Sequence, residues 1–268
     1  MKNSFGLDLA GYSTGRSTLA MAYKDKKEIH VDILNGHQFE KKFEGKNKLD
    51  NMTKGELACI QCLLQKGNLY IDIPIDLQGL PHPSKPQYIW ELRKRPIDEH
   101  LDGLPPLADK IGSPVARMQN IWSLLRKQSG EDPLAESIFE TYPAASLSKS
   151  EHDSEGYKGT AEYSDSTWKG KLSSKGDEKK ENVKLADILN NLSWTADEGF
   201  PLNHDEFDAA ICALTGLGKQ LKGNALQKEM NDKLEGNYSL PRGYVLLKEI
   251  PKNVILDRRN YQSRLASE

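Results

Sequence analysis

Three acidic segments that lie far apart in the chain have residue types suited to a single site. They are Phe5-Gly-Leu-Asp-Leu-Ala-Gly11, Leu69-Tyr-Ile-Asp-Ile-Pro74 and His204-Asp-Glu-Phe-Asp-Ala-Ala210. The first two set a lone aspartate inside an apolar, strand-like run, and the third sets two in the opening turns of a helix. A carboxylate in an apolar strand is costly unless a cation or hydrogen-bond donors compensate its charge. Two such strands and one helix could gather Asp8, Asp72, Asp205 and Asp208 around a divalent ion. Ionised carboxylates prefer hard cations, so magnesium or manganese is the expected cofactor. Glu140, within Ile138-Phe-Glu-Thr-Tyr-Pro143, is a further acid in an apolar strand and a candidate to join them.

The elements that must position these groups can be read from periodicity. Residues 4–10 alternate as a strand, with Phe5, Leu7 and Leu9 against Gly6, Asp8 and Ala10. Residues 17–24 and 28–34 read as a hairpin turning at Lys24-Asp25-Lys26-Lys27. Thr53 with Glu56 three residues on reads as a capping box that opens a helix to Lys66. Residues 69–75 are apolar nearly throughout, as a central parallel strand should be. Proline-rich residues 78–136 read as an insertion, with a short helix near 88–101 and a longer one over 114–128. A strand over 137–142 is stopped by Pro143. Polar residues 148–180 are expected to form a mobile loop, followed by a helix over 181–193. Asn203 caps the last major helix with Glu206 at its N3 position, and 243–250 read as a final strand. Strands alternating with helices predict a mixed α/β fold around a central sheet. The carboxyl ends of parallel strands in such a sheet are where ligands bind. Asp8 and Asp72 fall there, and Asp205 and Asp208 fall at the positive end of the closing helix, which favours their ionised state.

Composition narrows the class. The chain has 268 residues and a net charge of −2, enough length for a large core and no overall basic excess. No apolar run is long enough to span a membrane, and a cytoplasmic location is the default expectation. Cys59 and Cys62 have metal or redox spacing but no second pair, so they read as core cysteines. The basic cluster Arg93-Lys94-Arg95 is a candidate phosphate contact, as is Lys158 beside Tyr157 in the polar loop. There is no P-loop or HExxH pattern.

Gly6-Leu-Asp, Ile71-Asp-Ile-Pro, Phe139-Glu-Thr-Tyr-Pro-Ala144 and Asp205-Glu-Phe-Asp-Ala-Ala210 together resemble the marks of the domain of unknown function 429 family. Members are grouped with predicted nucleases of the ribonuclease H-like fold. The final helix also resembles the acidic helix of RuvC-like resolvases. The resemblance runs from residue 4 to about 220 and implies a five-stranded mixed sheet flanked by helices, and residues 1–268 read as a single ribonuclease H-like domain. It sets Asp8 on the first strand, Asp72 on the fourth, Glu140 on the fifth and Asp205 and Asp208 on the closing helix. It also implies a nucleic-acid partner and metal-dependent phosphodiester hydrolysis, with two ions about 3.5–4 Å apart. Two alternatives stand beside it. A sugar-kinase or actin-like phosphotransferase would share the sheet but needs a second glycine-rich loop, which Ile71-Asp-Ile-Pro lacks. A non-catalytic binding protein on a nuclease-like scaffold needs neither.

Overall fold

A computed structural model describes residues 3–42, 49–78, 80, 93–151, 183–196 and 202–266. Nine strands are described: β1 (Asn3–Asp8), β2 (Thr18–Asp25), β3 (Glu28–Asn35), β4 (Gly67–Ile71), β5 (Ile138–Glu140), β6 (Thr195–Ala196), β7 (Gln220–Lys222), β8 (Val245–Leu247) and β9 (Val254–Asn260). The helices among the described residues are α1 (Leu49–Lys66), α2 (Pro96–His100), α3 (Gly112–Ser129), α4 (Pro143–Lys149), α5 (Val183–Asn191), α6 (His204–Thr215), α7 (Asn224–Lys233) and α8 (Tyr261–Ala266).

The main sheet has seven strands in the order β5-β4-β1-β2-β3-β9-β6. Only β2 runs against its neighbours; every other adjacent pair is parallel. The mixed α/β class follows directly. The sheet exceeds the five strands expected because β9 and β6 extend it beyond β3. The expected last strand, β8, instead pairs with β7 in a separate two-stranded ribbon.

Alternation along β1 and β2 divides the core. Phe5, Leu7, Leu19 and Met21 face one side with Leu69 and Ile71, where Ile60 and Leu63 of α1 and Val115, Met118 and Ile121 of α3 cover them. Thus α3, although it falls in the stretch read as an insertion, belongs to the core of that face. The opposite face is lined by Ala20, Ala22, Val31 and Ile33 and is covered by α5 and α6. Its small side chains let α6 lie close. A Cβ on Gly6 would stand 2.1 Å from the Ala209 carbonyl oxygen and 2.2 Å from the Ala213 nitrogen, so only glycine fits there. Phe207, Ile211 and Leu214 of α6 are fully buried, worth about 1.5–3 kcal/mol apiece.

Two local details differ from expectation. Helix α1 begins at Leu49, and the Thr53 hydroxyl donates to the Leu49 carbonyl from inside the helix rather than capping it. At α6 the capping box forms as read: Asn203 accepts from the Glu206 N–H and Glu206 accepts from the Asn203 N–H. The 148–180 loop begins within α4, and its residues from 152 onward lie outside the described residues.

Candidate functional site

The register of β1 against β4 pairs Leu7 with Ile71, and the Asp72 N–H continues the ladder by donating to the Leu7 carbonyl at 3.0 Å. Asp8 and Asp72 are therefore side by side on adjacent parallel strands, whose backbones lie about 4.8 Å apart. Because Leu7 and Ile71 face the α1–α3 side, alternation turns Asp8 and Asp72 toward the α6 side. The row extends one strand further. The Thr141 N–H donates to the Ile71 carbonyl at 3.0 Å, which sets Thr141 beside Asp72 at the end of β5. The Thr141 hydroxyl is buried and makes no hydrogen bond among the described residues.

Helix α6 crosses this row from above. Its Gly216 abuts Ser4 and Tyr70, whereas Ala209 and Ala213 abut Gly6. The helix thus runs against the direction of β1, and its N-terminal turn extends past Gly6 toward Asp8. Asp205 lies in that turn, with one carboxylate oxygen 3.0 Å from His204 Nε2. Asp208 is one turn before Cys212, which packs with Tyr70, so it lies on the β4 side and is completely buried.

A cavity of about 1140 Å³ opens at this edge of the sheet. Asp8, Asp72 and Asp205, each half-buried, line it together with Glu140 and Thr141. Asp208 and Arg93 are not among its described lining residues. Lys158 lies outside the described residues. Sequence reading thus brought three of the four aspartates to one cavity.

Glu140 and Arg95 reach the wall of this cavity, but their charges are spent on each other. Arg95 is almost completely buried. Its Nη2 donates to Glu140 Oε1 at 2.6 Å and its Nη1 to Oε2 at 3.0 Å, while the Ile75 N–H donates to Oε2 at 2.9 Å. Arg95 also binds both oxygens of Asp98 and the Asp76 carbonyl. Burial pushes the Glu140 carboxyl above its usual range, and the Arg95 charge opposes that shift. The Tyr244 hydroxyl, also on the wall, is pushed well up by burial and by the neighbouring Glu140 charge, so it remains a proton donor.

A second buried arginine shapes the rim. Arg117 Nη1 donates to the Ala10 carbonyl at 2.6 Å and to the Ser17 hydroxyl at 3.2 Å, and Nη2 donates to Glu56. Its guanidinium lies 4.6 Å over the Tyr12 ring. The connection between β1 and β2 is therefore pinned at both ends from beneath. Cys59 and Cys62 are free thiols, and burial pushes the Cys59 thiol up to about 11, which suits a core residue.

Carboxylate oxygens are the donors a hard divalent cation takes. Asp8, Asp72 and Asp205 bring such oxygens to the same cavity. Among the described residues no three His, Cys, Asp or Glu side chains already converge as a metal-binding group. Thr141, Tyr244 and two exposed cations on the rim, Arg16 and Lys110, are additions that sequence reading missed. For Thr141 the signal was its place beside Glu140, since neighbours in a strand point to opposite faces. No described helix is long and apolar enough to cross a membrane. Compared with family models, curated proteins and solved structures, the chain finds no match.

Proposed function

We propose that the protein is a divalent-metal-dependent phosphodiesterase acting on nucleic acid, on a ribonuclease H-like scaffold related to the domain of unknown function 429 family. One observation carries the reading: Asp8 and Asp72 stand side by side where two parallel central strands end in a cavity, with Asp205 entering from α6. The strand order β5-β4-β1-β2-β3 with β2 alone reversed supports the scaffold assignment. The absence of glycine from Ile71-Asp-Ile-Pro-Ile-Asp weighs against a phosphotransferase that cradles nucleotide phosphates there.

In this reading Asp8, Asp72 and Asp205 hold magnesium or manganese. When bound, such an ion polarises a phosphoryl oxygen and lowers the pKa of water. The chain's own residues do the rest. Asp8 and Asp72 are fixed by the β1–β4 ladder, so their carboxylates keep a constant spacing. Gly6 holds α6 close enough for Asp205 to share the cavity. The Arg95–Glu140 pair braces the end of β5 and the turn after β4.

A second reading, a nucleic-acid-binding protein without catalysis, is favoured by the absence of a converged metal group among the described residues. The two separate in one assay. Wild type and Asp8→Asn would be incubated with single-stranded, duplex and branched DNA and RNA in magnesium, manganese or chelator. Metal-dependent cleavage that Asp8→Asn abolishes is the expected result. Binding without cleavage in every condition favours the second reading, and equal cleavage by both proteins rejects the site.

A further inference from the structure

The floor of the cavity is acidic, yet one side of its mouth carries positive charge. Arg16 belongs to the β1–β2 connection and Lys110 to the segment just before α3; both are exposed and both line the cavity. Neither forms an ion pair with another described residue. The two segments are packed together, since a Cβ on Gly11 would stand 2.8 Å from the Ser113 hydroxyl. The loop carrying Arg16 is also built to hold a fixed shape. Thr14 binds back to the Gly11 carbonyl through its N–H and its hydroxyl. The Ala10 N–H donates to the Ser17 hydroxyl at 3.0 Å, and Arg117 clamps both Ala10 and Ser17 from below. Arg16 thus sits one residue from a buried anchor, and Lys110 sits seven residues before Arg117 on the same packed unit.

An anionic chain approaching Asp8 and Asp72 meets repulsion from the floor unless cations lie beside its path. A lip of arginine and lysine answers that need, because both pair with phosphate oxygens and draw polyanions by long-range attraction. The half-burial of the aspartates bears on the form of the ligand. A backbone must bend toward the half-buried aspartates to reach them, which a flexible single strand does at lower cost than a stacked duplex.

We propose that Arg16 and Lys110 form a phosphate-contacting lip that guides single-stranded nucleic acid over the Asp8–Asp72 row, with Arg117 as the residue that positions the lip. This rests on the phosphodiesterase reading for the identity of the ligand.

The test is the salt dependence of binding. Fluorescence anisotropy would follow a labelled oligothymidylate in calcium across a salt series, for wild type, Arg16→Gln, Lys110→Gln and the double variant. Neutralising one phosphate contact on a single strand removes about 0.7 from the slope of log K against log salt. Each single variant should therefore flatten the slope by about that amount and the double by about 1.4, with unchanged melting temperature. Slopes equal to wild type in the double variant overturn the proposal, as does a wild type that binds no oligothymidylate. Tighter, equally Arg16-dependent binding of duplex would overturn the single-strand assignment. Cleavage in magnesium is scored separately. A lip-dependent slope without cleavage keeps this inference and removes the hydrolase; cleavage with unaltered slopes does the reverse.

Discussion

Two groups of acids among the described residues look alike in sequence. Glu140, Glu56, Asp32 and Glu206 each meet one arginine brought from a distant segment: Arg95, Arg117, Arg264 and Arg258. Asp8, Asp72 and Asp205 instead form a half-buried row around a cavity. The contrast is sharpest between Glu140 and Asp72, on neighbouring strands one register step apart. The first is closed on both oxygens by Arg95 and a backbone N–H; the second lines the cavity between Asp8 and Thr141. A lone acid in an apolar strand thus signals compensation of its charge, and for Glu140 the compensating group is an internal arginine.

The arginine-paired group should carry stability and the cavity row should carry function. The largest effect is expected from Arg95→Met. It strands the Glu140 carboxylate in the interior and should cost about 3–5 kcal/mol in urea unfolding. Adding Glu140→Leu should recover much of that loss. A single variant as stable as wild type would remove the structural role assigned to the pair.

The closed side also predicts a pH dependence. His37 is buried beside Arg117, and burial followed by that charge lowers it from 6.5 to about 4, although Glu40 Oε1 stands 3.3 Å from its Nε2. The folded state therefore favours the neutral ring. Between about pH 6.5 and 4 the unfolded chain takes up a proton that the folded chain does not. Stability from this group is complete above about 6.5 and is lost as pH falls, by about 3 kcal/mol at pH 4. Comparing thermal unfolding of His37→Phe and wild type across that window should show the flatter curve for the variant. Parallel curves would refute the assignment.

Gly6 connects the two groups, since it sets the height of α6 above the sheet. Gly6→Ala forces a methyl into the backbone of Ala209 and Ala213 and should cost about 1–3 kcal/mol. Because the displaced helix carries Asp205, cleavage should fall more than stability does. Normal activity in a destabilised variant would separate Asp205 from the site. The smallest stability effect is expected at the row itself. Asp8→Asn keeps the shape and relieves repulsion with Asp72, so its metal-free melting temperature should equal or exceed that of wild type. A clear drop would place Asp8 with the closed group.

How much of this was legible in the chain follows from which signals are local. The hairpin, β1, β4 and α6 announce themselves through alternation, turn residues and the Asn203 cap, and those elements carry Asp8, Asp72 and Asp205. Arg95 read as a surface phosphate contact because its partners, Glu140 and Asp98, become visible only when the chain folds. Thr53 imitated a cap because its hydroxyl bonds the backbone equally well inside a helix. Strand β9 was passed over because Asp257, Arg258 and Arg259 interrupt its apolar pattern; Arg258 pairs with Glu206 of α6, and Asp257 and Arg259 pair with each other along the strand. The cationic lip was hidden for a similar reason: Arg16 and Lys110 are unremarkable until their segments pack together.

The most direct test of the central claim is manganese titration of metal-free protein by calorimetry, comparing wild type with Asp8→Asn and Asp72→Asn. The account predicts binding by wild type and a loss of affinity of about tenfold or more in each variant, with the fold intact by circular dichroism. Binding unchanged in both variants, or no binding by wild type, would contradict it.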